Sequence, residues 1–291
     1  MGFYRPFTAA LSAQARAANG DLTHTGWRRG LLRSAAMQLL PTVSAQTALF
    51  LDFDGTLAEL APSPDAVRIP LGLVPTLAAL HGQLGGALAI VTGRPIADVD
   101  RFLAPLALPT AGEHGAQCRL PDGRSLSVPA PDLAPAAAAM EELAAQHQGL
   151  MVEHKPRSVA LHYRHAPELG RLCEAALREA MARMQGMELL HGKYVLELKS
   201  ASVDKGRAIE AFMAVPPFAG RVPVFAGDDV TDEAGFAAVA RLGGLGVKVG
   251  EGPSMAEHRC LNPATLRGWL ASARAGLPAT PSSSSISAAT P

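Results

Sequence analysis

Apolar residues along the chain fall into two patterns. Some form short unbroken runs: Ala48-Leu49-Phe50-Leu51, Ala87-Leu88-Ala89-Ile90-Val91 and Val222–Ala226. A run of this length bounded by turn residues reads as a strand covered on both faces. Others recur every three or four positions. Residues 71–84 (LGLVPTLAALHGQL) read this way as a helix, and so does the stretch after Pro95, with Ala97, Val99, Phe102 and Leu103 on its apolar side. Ala107–Ala111 is a weaker third strand. Strand, helix, strand, helix, strand predicts a parallel α/β sheet.

The pattern changes near residue 114. Gln117–Leu120 and Ser125–Val128 flank Pro121-Asp122-Gly123-Arg124, a hairpin signal. Helices fit 134–147 and 167–185. Leu150–His154 and Ser158–Arg164 flank Lys155-Pro156-Arg157 as a second hairpin, and a further strand pair surrounds His191-Gly192-Lys193. The parallel pattern resumes at Asp204, with a helix from Lys205 to Phe212 or Met213 and a strand at Val222–Ala226. A helix over 231–240, a strand at Gly246–Val249 and a last helix near Pro263–Arg274 follow, with Leu266, Trp269 and Leu270 inward. The expectation is a Rossmann-like parallel-sheet core made of 46–113 and 197–272, with an α+β cap inserted at 114–196. Residues 1–45 form an N-terminal extension and 273–291 a tail whose Ser, Ala, Pro and Thr content predicts disorder.

Composition removes several function classes. The 291 residues carry 26 basic and 26 acidic side chains. A balanced charge gives no global attraction to nucleic acid or anionic membrane. No apolar run reaches the roughly 18 residues a membrane span needs. Cys118, Cys173 and Cys260 are scattered without CxxC spacing, which argues against a disulfide scaffold or zinc site and for the reducing cytoplasm. Residues 1–45 are rich in Ala and Arg, with Asp21 the only acid. They resemble a transit peptide in composition but lack a secretory apolar core; the expectation is a surface arm with a short amphipathic helix around 26–40.

The strand ends carry the chemistry. Asp52 and Asp54 follow the first buried run, and alternation puts them on one side as the strand ends. Two acids this close repel unless a cation sits between them, and a hard divalent ion, Mg²⁺, is the natural occupant. Gly55 allows a sharp turn and Thr56 adds a hydroxyl. Thr92-Gly93-Arg94 ends the second strand, Lys205 opens a helix, and Gly227-Asp228-Asp229-Val230-Thr231-Asp232-Glu233 ends a later strand. Singly, these are ordinary turns, caps and a solvated lysine. Together, at the carboxyl ends where α/β sheets bind ligands, they are equipment for phosphoryl transfer.

That order of motifs resembles the haloacid dehalogenase-like (HAD) phosphohydrolase superfamily over about 45–270. Within it, Asp52-Phe53-Asp54-Gly55-Thr56-Leu57 and Gly227–Glu233 resemble the first and last motifs of the trehalose-6-phosphate phosphatase family. Gly112-Glu113-His114-Gly115, Val152-Glu153-His154-Lys155-Pro156, His162-Tyr163-Arg164 and Tyr194-Val195-Leu196-Glu197 resemble its cap segments. The resemblance implies Mg²⁺-dependent hydrolysis of trehalose 6-phosphate through an aspartyl-phosphate. Asp52 would be the nucleophile and Asp54 the general acid and base, its pKa raised by burial beside Asp52. Metal ligands would be Asp52, the Asp54 carbonyl and Asp228. Thr92, Gly93 and Arg94 would meet the phosphate, Lys205 would offset charge, and Asp229 and Asp232 would support it. Glu113, Arg119, Lys155 and Glu197 are the candidates for the sugar; His154 and His162 are open between packing and exposure. A separate trehalose-6-phosphate synthase is the implied functional partner, since the chain has no room for a fused one. A phosphatase of sucrose, mannosylglycerate or hexose phosphate on the same fold is the alternative. A phosphomutase would need a second phosphate site, to which nothing points. A non-catalytic sugar-phosphate sensor would be expected to lack Asp52 or Asp54.

Overall fold

The structure, a computed structural model, describes residues 40–182 and 184–278. The expected amphipathic helix at 26–40 lies outside the described residues, apart from Leu40, and so does the end of the expected tail.

The apolar runs become the centre of an eight-stranded sheet. β1 (Thr47–Leu51), β2 (Leu88–Val91), β3 (Thr110–Gly112), β10 (Val222–Gly227), β11 (Leu245–Val249) and β12 (His258–Cys260) are parallel, in the order β12-β11-β10-β1-β2-β3. Every residue of β1 and β2 is buried, as an all-apolar run requires when helices cover both faces. Phe50 packs on Phe212 and Phe218 with ring centroids 6.0 and 5.2 Å apart, which pins the middle of β1. The covering helices are α1 (Leu73–Gln83), α2 (Ile96–Leu103), α5 (Lys205–Met213), α6 (Glu233–Arg241) and α7 (Pro263–Gly276). The side chain of Asp204 caps α5 by accepting from the Arg207 N–H at 2.8 Å, and Asn262 caps α7 through the Thr265 N–H at 2.9 Å. Trp269 turns its ring inward only partly; its Nε1–H donates to the Pro41 carbonyl.

Register determines where function can sit. Leu51 pairs with Ala226 on one side and Ile90 on the other. The residues that follow these strands, Asp52, Thr92 and Asp228, therefore emerge along one edge of the sheet.

A second, antiparallel sheet has the order β6-β7-β9-β8, from β6 (Met151–His154), β7 (Ser158–His162), β8 (Met187–Gly192) and β9 (Val195–Ser200). Two helices, α3 (Ala134–Gln146) and α4 (Gly170–Met181), back it with a separate core that includes Met140, Leu161, Cys173 and Leu198.

Three features differ from expectation. The first hairpin, β4 (Gln117–Arg119) with β5 (Ser125–Ser127), extends the main sheet through antiparallel pairing of β3 with β4 instead of joining the inserted module. The cause is a tight reversal at Glu113, His114 and Gly115, all at positive φ (48°, 59° and 102°), which sends the chain straight back beside β3. At the other end the second sheet runs to Ser200, so Glu197 belongs to it. Sheet membership thus moves the edges of the insert from the expected 114 and 196. Finally, β12 is a strand the pattern did not show: two of its three residues, His258 and Arg259, are polar, only Cys260 turns into the core, and it lies at the sheet edge, where so short a run is uninformative.

Candidate active site

Beyond the carboxyl ends of β1, β2 and β10 lies a cavity of about 650 Å³, walled on one side by Asp52, Thr92, Lys205 and Asp228 and on the other by the second sheet. The Asp52 N–H continues the ladder by donating to the Ala226 carbonyl at 2.9 Å, so its carboxylate is presented by a rigid strand end. Lys205, at the first turn of α5, donates to Asp52 Oδ1 at 2.7 Å and to Asp232 Oδ1 at 2.6 Å. The other oxygen of Asp232 accepts from the backbone N–H groups of Asp228 and Asp229, both at 2.9 Å. Asp232 is therefore fully committed: it aims Lys205 and shapes the Asp228 loop. Asp229 serves the same loop as the N-cap of the turn at Val230–Asp232.

Two glycines make this packing possible. Gly55 sits at φ 74°, and a Cβ there would fall 2.1 Å from Asp228 Oδ2. A Cβ at Gly227 would lie 2.3 Å from Asp232 Cγ. The Thr56 hydroxyl donates to Asp228 Oδ1 at 3.1 Å, and the buried Lys248 ammonium donates to the Asp228 carbonyl.

The electrostatics favour a cation. Oxygens of Asp52, Asp228 and Asp232 all lie within 4.8 Å of one another, with Lys205 the single ammonium bonded to these carboxylates among the described residues. Burial raises the Asp52 carboxyl well above the usual carboxylate range; Lys205 opposes this, while Asp232 and Asp228 reinforce it. Burial and Asp232 push Asp228 up to about 7. Burial pulls the Lys205 pKa down, but Asp232 and Asp52 outweigh it and hold the ammonium charged. With Asp232 committed, Asp52 and Asp228 offer the free oxygens. An oxygen-only donor set carrying excess negative charge fits a hard divalent cation such as Mg²⁺.

Asp54 has a different environment. Arg94 grips its carboxylate with both arms, Nε to Oδ2 at 2.6 Å and Nη2 to Oδ1 at 2.8 Å, and Nη2 also reaches the Pro64 carbonyl at 3.0 Å. The guanidinium lies 5.7 Å from the centroid of the Phe53 ring and 5.0 Å from that of Phe102, which hold it in place. Asp54 therefore faces a cation rather than Asp52, and Arg94, itself in the cavity wall with Gly93, is engaged by that acid. The alternation expected of Asp52 and Asp54 ends with β1 at Leu51; Asp54 already lies in a turn, bridged to Ala58.

The second sheet and its β6–β7 turn bring Glu197 and Lys155 to the cavity wall. Lys155 Nζ lies 2.8 Å from Glu197 Oε2 and donates to the Gly93 carbonyl at 3.3 Å; the Ser158 hydroxyl donates to Glu197 Oε1 at 2.6 Å. Burial opposes ionisation of Glu197, yet the adjacent Lys155 ammonium holds it well below its usual range.

A model of the trehalose-phosphatase family matches residues 50–262. The chain belongs to that family. Trehalose-6-phosphate phosphatase of Escherichia coli (strain K12) is 40% identical over 232 residues, 79% of this chain and 87% of that one. A solved trehalose-6-phosphate phosphatase related protein superposes with a TM-score of 0.64 at 26% identity, covering 78% of this chain and 96% of its own. A phosphatase of the HAD superfamily from Bacteroides thetaiotaomicron shares the fold at a TM-score of 0.55 and 16% identity, over 81% of this chain and 97% of that one. The family makes this chain a phosphoric monoester hydrolase, with an α/β HAD core and a cap formed by the second sheet.

Two residues expected at the sugar lie elsewhere. Arg119, on β4, forks Asp100 at 2.7 Å through both Nη atoms, donates to the Leu108 carbonyl, and is not part of the cavity lining. Glu113 is buried outside the cavity, accepting from the Arg157 N–H at 2.7 Å. Conversely, the cavity wall includes Glu153, His162 and His114. Glu153 pairs with His162 at 2.8 Å. Its signal was available: Glu153 and Lys155 alternate about His154, which faces outward and pairs with Glu141.

Proposed function

We propose that the chain hydrolyses trehalose 6-phosphate to trehalose and phosphate, with Mg²⁺, through a phosphoaspartate on Asp52. The observation that carries this is the pairing, in one cavity, of an acid cluster around Asp52 with a cap that presents Lys155 and Glu197. Family membership and the relatives' names support the sugar.

Asp52 and Asp228, with the Asp54 carbonyl, would hold Mg²⁺, which when bound supplies charge neutralisation for the phosphoryl group. In the first step a carboxylate oxygen of Asp52 attacks phosphorus as the bond to the sugar oxygen breaks. Asp54, released from Arg94 and protonated, gives its proton to that oxygen. In the second step water attacks the phosphoaspartate and Asp54 takes the proton back. Lys205, oriented by Asp232, stabilises the charge on Asp52, and the Thr92 hydroxyl donates to a phosphate oxygen. The polar groups on the cap match a disaccharide that is all hydroxyls, and Lys155 with Glu197 offers a charge-assisted pair for them. The three free cysteines suit a reducing, cytoplasmic setting, where a separate synthase would supply the substrate.

The test is phosphate release from a panel of sugar phosphates, with and without Mg²⁺. Trehalose 6-phosphate should be strongly preferred and Asp52→Asn should abolish turnover. Equal rates on glucose 6-phosphate and sucrose 6-phosphate would refute the substrate, and full activity in Asp52→Asn would refute the mechanism.

A further inference from the structure

Among the described residues, four buried side-chain atoms lack a hydrogen-bond partner: Gln83 Oε1, Glu113 Oε2, His114 Nε2 and His258 Nδ1. Of these residues only His114 lines the cavity. Buried polar atoms are nearly always paired, so an orphan in a ligand cavity points to a partner acquired during function.

The placement of His114 is also unusual. Glu113 and His114 adopt left-handed φ values side by side, 48° and 59°, a region non-glycine residues occupy only when their surroundings demand it. Those surroundings are the phosphate-facing loop. The His114 N–H donates to the Thr92 carbonyl and the Glu113 N–H to the Arg94 carbonyl, both at 2.9 Å. The imidazole lies against Gly93, where a Cβ would come 2.8 Å from its Cε1 and Nε2. The same Nε2 stands 3.6 Å from Glu197 Oε1 on the cap, just outside hydrogen-bond reach. Glu197 in turn holds Lys155, which reaches the Gly93 carbonyl. A closed loop of contacts thus runs from Gly93 through His114, Glu197 and Lys155 back to Gly93, with one gap. Catalytic hydrogen bonds are often long in the empty site and tighten in the complex.

We propose that His114 is a positioning residue for catalysis: when a sugar engages Glu197 and Lys155, the gap closes, His114 Nε2–H donates to Glu197, and the ring fixes Gly93 and Thr92 against the phosphate. The sugar end of the substrate thereby sets the geometry at its phosphate end. This rests on the reading of the cap as the sugar-binding side. Burial favours the neutral imidazole, which carries the single N–H the bond requires.

The consequence is a rate effect confined to substrates that reach the cap. The experiment measures kcat and KM of the full chain with Mg²⁺ on trehalose 6-phosphate and on p-nitrophenyl phosphate, which carries no sugar. His114→Asn tolerates the left-handed backbone but is too short to reach Glu197; His114→Gln places an amide N–H near the position of Nε2. His114→Asn should lower kcat on trehalose 6-phosphate by about 30-fold, below the ~10²-fold that a 1 Å misplacement can cost. KM should change little, and p-nitrophenyl phosphate hydrolysis should fall less than threefold. His114→Gln should recover most of the loss. Equal losses on both substrates, or none on either, would overturn the coupling, as would a Gln variant no better than Asn at equal thermal stability. If the wild-type chain prefers a different sugar phosphate, the proposed substrate fails and the coupling is scored on the preferred one. If it hydrolyses p-nitrophenyl phosphate and every sugar phosphate equally, both fail.

Discussion

Gly55→Ala tests the packing of the acid cluster at its narrowest point. The added Cβ would fall 2.1 Å from Asp228 Oδ2, 2.4 Å from Cγ and 2.6 Å from Oδ1, so the carboxylate cannot stay where it is. Backbone adjustment is restricted, because residue 55 sits at φ 74° and its N–H donates to the Ala58 carbonyl at 2.8 Å. Alanine in that left-handed conformation costs roughly 1–2 kcal/mol. Displacing Asp228 also breaks its bond from the Thr56 hydroxyl, worth about 1 kcal/mol. Together these predict a loss of about 2–3 kcal/mol, or a fall in Tm of roughly 4–12 °C for a domain of this size. The functional loss should be larger, since one of the two uncommitted carboxylates leaves the site. Mg²⁺ affinity by calorimetric titration should weaken at least tenfold, by analogy with the ~10–100-fold cost of disturbing metal-site support. Gly123→Ala is the control. Gly123 has a similar φ of 81° but nothing within 4 Å of the new Cβ. It should incur the backbone cost alone and keep wild-type Mg²⁺ affinity. A Gly55→Ala protein that binds Mg²⁺ and turns over like wild type would refute the reasoning.

Three further outcomes are expected. Asp54→Asn should leave Mg²⁺ affinity within threefold by calorimetry while turnover falls by ~10²–10⁴, the usual worth of general acid–base catalysis; joint loss of both would contradict a ligand role limited to the carbonyl. Arg119→Ala should lower Tm by a few degrees, consistent with about 1 kcal/mol for a partly exposed fork on Asp100, with KM unchanged; a tenfold rise in KM would return Arg119 to the substrate. Glu197→Gln should alter the acid limb of stability. The folded-state pKa of Glu197 lies below its ordinary 4.5, so the unfolded chain binds the extra proton and the stabilisation, complete above 4.5, fades as pH falls through the folded value. The Tm gap between wild type and variant should therefore be widest near neutral pH and narrow below 4.5; a gap that widens in acid would refute the pairing with Lys155.

Much of the core was legible because its signals are local. β1, β2 and β10 are unbroken apolar runs, and an apolar run followed by an acid or hydroxyl at a turn needs no knowledge of the rest of the chain. The helix at Lys205–Met213 matched its reading because Asp204 caps it within four residues. What a linear reading could not show was set by contacts distant in sequence. Arg94 and Arg119 read as free cations in a linear view, but Asp54 lies 40 residues from the first and Asp100 19 residues from the second. The hairpin at 117–127 carried a correct local signal, but which sheet it joined depended on three consecutive positive φ values at 113–115, two of them at residues other than glycine. Glu113 was a sugar candidate through the resemblance of Gly112-Glu113-His114-Gly115 to a family segment; the reversal at 113–115 turns it inward to the Arg157 N–H.

The two acids of the first motif are separated by environment more than by spacing. Asp52 sits in a buried cluster where Asp228 and Asp232 oppose its ionisation and Lys205 alone among bonded side chains favours it. A nucleophile must be anionic, so that balance ties the reactivity of Asp52 to whatever further positive charge enters the cluster. Asp54 is insulated from this balance: its counter-charge is Arg94, held between two aromatic rings that belong to neither the cluster nor the cap. The guanidinium also keeps Asp54 from completing an acid pair with Asp52, which would otherwise raise the electrostatic cost of the motif further. Under the proposed mechanism, Asp54 would have to leave Arg94 before it could transfer a proton. The Arg94 carbonyl accepts from the Glu113 N–H, and the adjoining His114 faces Glu197 on the second sheet. If the cap binds the sugar and Asp54 moves the proton as proposed, residues 92–94 and 113–114 are the backbone link between them, through the Glu113 N–H on the Arg94 carbonyl and the His114 N–H on the Thr92 carbonyl.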